Sequence, residues 1–437
     1  MDGSAHRGSP ADRRYPLPVG GGGVCPPTVR RVTSIRPSVR RELLRESTGA
    51  AEVLVSPAWD DARGAAYRAG VPLPVESVDI MQADRRTLAV DVTARTDLPA
   101  FTSSAMDGWA VSGIGPWQVV GELRAGGVRP APLTDGQAIE IATGAAVPVG
   151  TTGVLRRENG VFSQGLLAGQ VSAGLDLRPQ GEEAAWGTVL VSAGTVLTPA
   201  QLGLAAAAGL DELSVTRRPT ARLLVFGDEL LRQGRSGAGR VRDSLGPQLP
   251  AWLERLGVQC VDVRHVEDNL SAHVAALAAA ADVDLVVTTG GTAAGPVDHL
   301  HRAIDSLDGR LVVDSVAVRP GHPMLLGRLE AHRWLLGLPG NPQAAVAALM
   351  TLGAPLIDRL SGRPMSPLSE SVLSVDVEAP PAATRMVPAM VDHLGATPAG
   401  PAGSGMLLGV SRANGYLLVP PGGRAGGSRV HWLALPS

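Results

Sequence analysis

At 437 residues the chain is long enough for roughly three domains. Its 44% hydrophobic and 18% charged content is that of a folded globular protein and excludes a disordered one. A formal net charge of -2 excludes the broad basic footprint that nucleic acid or an anionic membrane would select.

The first 35 residues, opening "MDGSAHRGSPADRRYPLPVGGGGVCPP", read as a disordered tail and lack the apolar core of a secretory signal. Cys25 and Cys260 stand far apart with no C-x-x-C pair, so neither a disulfide framework nor a zinc site is expected, and a reducing cytoplasm is the simpler setting. No run reaches the ~18 apolar residues of a membrane span. The chain contains no lysine, so every basic side chain except histidine is arginine.

"SVRRELLRES" and "SPAWDDARGAAYRAG" predict short helices, and "VDIMQADRRTLAVDVTA" mixes helix and strand signals. From residue 98 to 185 short β-like runs such as "GWAVSG", "WQVVGEL" and "AIEIATG" predict a small inserted β domain. "LTPAQLGLAAAAG" predicts a helix with Pro199 at its first position. Beyond residue 218, "ARLLVFG", "VQCVDVRHV", "VDLVVTTGG", "LVVDSVAV" and "RWLLGLPG" alternate with helical stretches, the pattern of a mainly parallel sheet covered on both faces. After "LSGRPMSP" only strand signals remain, which predicts a C-terminal β barrel or small sandwich. The fold class expected is multidomain α/β plus β.

Three strand ends in the α/β segment run into unusual loops. "LLVFGDELL" sets Asp228 and Glu229 after a glycine, "TGGTAAGPVD" carries Gly290, Gly291, Gly295 and Asp298, and "GLPGNPQAAV" places Pro339, Gly340, Asn341 and Pro342 ahead of a helix. Ligands of open α/β sheets bind beyond the carboxyl ends of strands, where glycines allow close approach and helix N-termini attract anions. An acidic residue beside such a nest tolerates phosphate when Mg²⁺ lies between them. Each loop alone has a plain reading: a turn, Asp298 as a helix cap, Pro342 as a helix starter. Three in one βαβ array favour a site. "RPGHP" adds Arg319, whose guanidinium fork suits an oxyanion, and His322. "SSAMDGWAV" reads plainly as a turn into a strand. No Walker A, H-E-x-x-H or G-x-G-x-x-G pattern occurs.

In this order, "LPAFTSSAMDGWAV", "IATGAAVPVG", "RPQGEE", "FGDEL", "TGGTAAGPVD", "RPGHP" and "GLPGNP" resemble the motif string of the molybdopterin molybdenumtransferases, the family that includes the E domain of gephyrin. The resemblance runs from about Pro72 to the C-terminus. It implies an elongated cytoplasmic homodimer with a discontinuous N-terminal domain (36–97 and 186–217), an inserted β domain (98–185), a molybdopterin-binding α/β domain (218–362) and a C-terminal β domain (363–437). It implies insertion of molybdate into adenylylated molybdopterin with Mg²⁺ and release of AMP, at a dimer cleft where "SAMDG" of one subunit faces the α/β domain of the other. Carried over by position, catalytic roles fall on Asp107, Glu229, Asp268 and Asp298, with Asp268 and Asp298 as Mg²⁺ ligands. Substrate contacts fall on Thr143, Glu183, Asp228, Asp243, Ser244, Gly290, Gly291, Gly295, Arg319, His322, Pro339, Gly340, Asn341, Pro342 and Ser404. The implied partners are the molybdopterin adenylyltransferase and cofactor-accepting enzymes, with neither nucleic acid nor membrane.

The chain departs from the family pattern at several positions. Phe226 replaces a Ser/Thr hydroxyl, Ala293 a serine, Leu245 an asparagine, and Glu183 an aspartate. Arg319 and His322 stand for two lysines, and Met390 stands where an arginine is usual, with Arg385 close by. Histidine is only partly charged near neutral pH, so His322 is the weaker cation. These changes leave two readings open, the transferase and a non-catalytic carrier or scaffold that binds molybdopterin or its product. A nucleotide-processing enzyme sharing only the α/β segment is a third, which "SSAMDGWAV" and the C-terminal β region count against.

Overall fold

The computed structural model describes residues 52–127, 131–292, 299–330, 332–401 and 403–436. The tail, the helix expected in "SVRRELLRES", and Ala293, Gly295 and Asp298 lie outside the described residues.

The longest apolar runs build a seven-stranded sheet: β1 (Leu54–Val55), β2 (Thr220–Phe226), β3 (Gln259–Val266), β4 (Leu285–Thr289), β5 (Arg310–Asp314), β6 (Leu325–Arg328) and β7 (Trp334–Leu338), in the order β1-β5-β6-β7-β4-β2-β3. Every residue of β4 and β7 is buried, as strands covered on both faces require. The sheet is mixed, because β6 runs antiparallel to both β5 and β7. The link from Arg328 to Trp334 is far too short for a parallel crossover, so the chain can only fold back on itself.

Helices α1 (Trp59–Ala69), α2 (Pro199–Ala207), α3 (Leu245–Arg255), α4 (Leu270–Ala278), α5 (His299–Ser306) and α6 (Pro342–Ala348) accompany the strands. A wide π turn over Leu349–Gly353 leads α6 into a further helical stretch, Ala354–Leu360, where Pro355 lacks the N–H an α-helical turn would use. Although α1 precedes the N-terminal β segments, its Trp59, Ala62 and Ala66 are buried in the core of the seven-stranded sheet. The Trp59 indole donates to Thr351 Oγ1 inside the π turn at 2.9 Å. Aromatic burial and this bond together fix α1 against the sheet.

Two distant stretches share a separate small core. Val75–Asp79 pairs with Glu212–Thr216, Val92–Thr93 pairs with Val189–Val191, and Leu88, Leu197 and Val215 pack between them. Thr198 and Gln201 form a reciprocal capping box that starts α2 where Pro199 predicts it. A six-stranded sheet spans Gly108 to Ala168 between these stretches.

The C-terminal sheet is ordered Val318–Arg319, Thr384–Asp392, Gly415–Val419, Arg429–Ala434, Ser369–Val372. Gly395–Pro398 pairs with Thr384–Asp392, and a single bridge from Leu373 to Ala396 joins the two far edges. Among the described residues no helix is long and apolar enough to cross a membrane.

Asp284 pins the entry to the sheet. Its carboxylate takes both Arg217 amino groups at 2.6 and 3.0 Å and both Thr220 donors, N–H and hydroxyl, at 2.8 and 2.9 Å. Burial pushes this carboxyl up, but the Arg217 guanidinium and Thr220 donors prevail and hold it below the ordinary value. A depressed folded-state pKa gives stability that is present above the unfolded value and lost as pH falls through the folded one. Asp284→Ala is therefore expected to lower unfolding free energy at neutral pH by about 2–3 kcal/mol, the cost of a half-buried pair losing one partner. Urea melts should show that deficit shrinking below about pH 4, near the carboxylate's ordinary range.

Candidate active site

The carboxyl ends of four strands finish level. Phe226 of β2 is opposite Val266 of β3, Val225 is opposite Thr289 of β4, and Thr289 is opposite Leu338 of β7. The loops that follow therefore open on one edge, around a cleft of about 680 Å³.

Gly290 and Gly291 turn the chain off β4 with φ of 87° and 67°, a pair of left-handed conformations that glycine alone adopts without strain. The Gly290 N–H donates to Leu338 O, which holds this loop against the end of β7. Glu229, Asp243 and Asp268 bring three carboxylates to the cleft lining, and Arg242 brings a cation. Ser244, Gly340, Asn341 and Pro342 also line it.

Several of these groups are engaged with one another. Asp243 is buried, and its Oδ1 accepts from the N–H groups of Leu245 and Gly246 at 2.9 Å each, capping α3. Its Oδ2 lies 2.9 Å from His265 Nε2. Asp243 is thus a brace for the helix, while Ser244 makes no side-chain cap. Asp228 Oδ1 accepts from the Asp268 N–H at 3.2 Å and ties the loops after β2 and β3 together. At α6 the cap is a backbone carbonyl from the C-terminal region: Ser404 O accepts from Gln343 and Ala344 N–H at 2.9 and 3.1 Å. Ser404 meets the site through its main chain, and these two N–H groups are already used. Pro339 is buried.

His273 lies beneath the loops, with a role the sequence did not disclose. It is fully buried on α4, and its ring stacks on Phe226 with centroids 3.7 Å apart. Its Nε2 is 3.2 Å from Asp268 Oδ1, at ion-pair distance but without hydrogen-bond geometry. Burial pushes its pKa down against the opposing pull of Asp268. Phe226, where the family pattern has a hydroxyl, is part of this packing. Leu245 is likewise buried at the start of α3.

Other expected residues stand apart from this lining. Asp107 and Thr143 meet each other at the ends of two paired strands of the inserted sheet: Asp107 Oδ1 accepts the Thr143 N–H at 2.7 Å and its hydroxyl at 2.9 Å. Glu183 is exposed, its N–H donating to Leu98 O. Arg319 is exposed on a C-terminal-sheet strand, and His322 Nδ1 is bound to Val316 O at 2.7 Å within its turn. Met390 is exposed on its strand, and Arg385 donates to Glu378 O. Among the described residues no three His, Cys, Asp or Glu side chains converge to hold a metal ion.

Residues 58–209 match the MoeA N-terminal region (domain I and II), residues 222–359 the "Probable molybdopterin binding domain", and residues 370–435 the MoeA C-terminal region (domain IV). Molybdopterin molybdenumtransferase 2 of Mycobacterium tuberculosis is 32% identical over 367 residues, 79% of this chain and 90% of that protein. This chain belongs to the molybdopterin molybdenumtransferase family. The Bacillus subtilis molybdopterin molybdenumtransferase is 30% identical over 80% of this chain and 86% of its own. The molybdopterin biosynthesis moeA protein from Pyrococcus horikoshii OT3 has the same fold, with a TM-score of 0.71 at 20% identity over 87% of this chain and 100% of that one.

The Thr143 backbone N–H, followed by its hydroxyl, holds the Asp107 carboxyl below the usual carboxylate range, helped by Arg157. Thr143→Val removes only the hydroxyl, so Asp107 is expected to titrate at higher pH, part of the way back to its ordinary value. Carboxyl NMR titration reads this directly, and an unchanged midpoint would show that the hydroxyl does not matter.

Proposed function

We infer that this chain is a molybdopterin molybdenumtransferase: it inserts molybdate into adenylylated molybdopterin and releases AMP, within molybdenum cofactor biosynthesis. The observation that carries this reading is a coincidence of two facts. The segment matching a molybdopterin binding domain is the one whose level strand ends make the 680 Å³ cleft.

The chemistry asked of the protein is placement and charge. Gly290 and Gly291 let the main chain approach the pyrophosphate closely, the part glycines play at phosphate sites. Glu229 and Asp268 are exposed at the cleft, and among the described residues neither is paired to an arginine. Exposed carboxylates beside a phosphate site suit Mg²⁺, which keeps waters and takes substrate phosphate oxygens as its other ligands. Glu229 and Asp268 would hold it, with Asp298, which the resemblance implies as a ligand, beside them. When bound, Mg²⁺ neutralises phosphate charge as a Lewis acid. Asp243 and Asp228 keep α3 and the neighbouring loops in position through the bonds above. The substrate's own dithiolene sulfurs take the metal, and Arg319 and His322 serve the incoming oxyanion.

Asp107 and Thr143 do not line the cleft of their own chain. In a homodimer they would face the cleft of a second copy, as would Glu183. The reaction belongs to the cytoplasm, where an adenylyltransferase supplies the substrate and cofactor-accepting enzymes take the product.

Reconstitution tests the reading. Purified chain with adenylylated molybdopterin, Mg²⁺ and molybdate should release AMP in proportion to molybdenum incorporated. Glu229→Gln should lower turnover by about 10²-fold or more, the usual cost of an electrostatic group at a reacting centre. Tight pterin binding with no AMP release would replace the transferase with a non-catalytic carrier.

A further inference from the structure

Between Glu229 and Asp243 the sequence reads "LLRQGRSGAGRVR", with four arginines and no acidic residue. The structure folds this stretch into a strap at the cleft. Leu230–Leu231 pairs with Val241–Arg242, and a tight turn closes the far end, with Ala238 and Gly239 at φ of 51° and 81°. Leu230, Val241 and Arg242 line the cleft itself.

Two of the four guanidinium groups are fixed by the strap's own main chain. Arg240 Nη2 donates to Leu230 O and Arg242 Nη1 to Leu231 O, each at 3.2 Å, and Ser236 Oγ accepts the Arg242 N–H at 2.9 Å. Several arginines outside the strap meet carboxylates: Arg217 has Asp284, Arg218 has Glu254, and Arg222 has Asp262 and Asp282. Among the described residues none of Arg232, Arg235, Arg240 and Arg242 pairs with a carboxylate. The strap thus carries four guanidinium groups without a carboxylate partner, and one of them, Arg242, lines a cleft whose other charged lining groups, Glu229, Asp243 and Asp268, are acidic.

We propose that the strap Arg232–Arg242 is the nucleotide-phosphate clamp of this cleft, with Arg242 on the phosphate and Arg232 and Arg235 closing over it. The proposal rests on reading the cleft as the site of an adenylylated pterin, and it names the residues that hold the adenylate end. A phosphate entering beside three carboxylates needs compensating cations. The Arg242 fork, held on the Leu231 carbonyl, supplies one with little further ordering, and the exposed Arg232 and Arg235 supply the others. The other oxyanion in the reaction, molybdate, would bind elsewhere.

Calorimetric titration of the full chain with AMP, and separately with molybdate, tests this. The triple variant Arg232→Ala, Arg235→Ala, Arg242→Ala should bind AMP at least about tenfold more weakly, the worth of one lost charge-assisted bond. Its AMP affinity should also depend less steeply on salt, because fewer exposed charges are screened. Molybdate affinity should be unchanged. All three positions are exposed, so the circular dichroism and melting midpoint should match the wild type, and Arg242→Ala alone serves if the triple variant does not fold. Equal AMP binding by variant and wild type would overturn the clamp. So would no AMP binding by the wild type, or a loss confined to molybdate. Molybdate-dependent AMP release by the wild type is read separately: AMP binding through the strap with no turnover keeps the clamp and removes the transferase.

Discussion

The register of β2, β3, β4 and β7 is the constraint from which the site follows. In a parallel sheet a shift of one residue would turn every side chain to the other face. Because Val225, Thr289 and Leu338 are in line, the chain leaves the sheet at one level in three places. That level edge makes a cleft from segments more than a hundred residues apart. The buried apolar residues of β2, β4 and β7 fix the register, so the core and the site are specified by the same pairing.

On that edge, polar groups satisfy one another before any ligand arrives. Asp228 holds the Asp268 backbone, Asp243 holds α3 and faces His265, and the Ser404 carbonyl closes the start of α6. The bonds at α3 and α6 answer helix-start N–H groups that have no partner within the helix. Glu229 and Arg242 remain among the more exposed charges of the lining. The division separates groups that build the cleft from groups left over to do something in it.

The strand ends and their glycines were legible in the sequence because they rest on local rules: apolar runs, positive φ and proline at helix starts. The capping of α2 by Thr198 was legible for the same reason. What depends on pairing at a distance was not. That β6 reverses follows from a short link whose strand is not separated by any strong turn signal. Pro388 hid the strand Thr384–Asp392 by interrupting its pattern. His273 sits among alanines on α4, and only the fold reveals that its ring lies on Phe226. Ser404 was expected among the substrate contacts, and that its carbonyl caps α6 is a pairing at a distance that sequence does not show. Asp107 and Thr143 were both singled out, but their bond across 36 residues needed the inserted sheet to close.

The two residues Val318–Arg319 lie in the α/β segment by position and in the C-terminal sheet by hydrogen bonding, where they pair with Thr384–Arg385. The two sheets are therefore stitched by backbone and cannot be treated as detachable modules. A chain ending before residue 363 would leave that strand with an open edge, and a C-terminal piece alone would lack one of its own strands. The family's separate domain matches describe ancestry along the chain, whereas the unit that must fold together crosses the border between two of them.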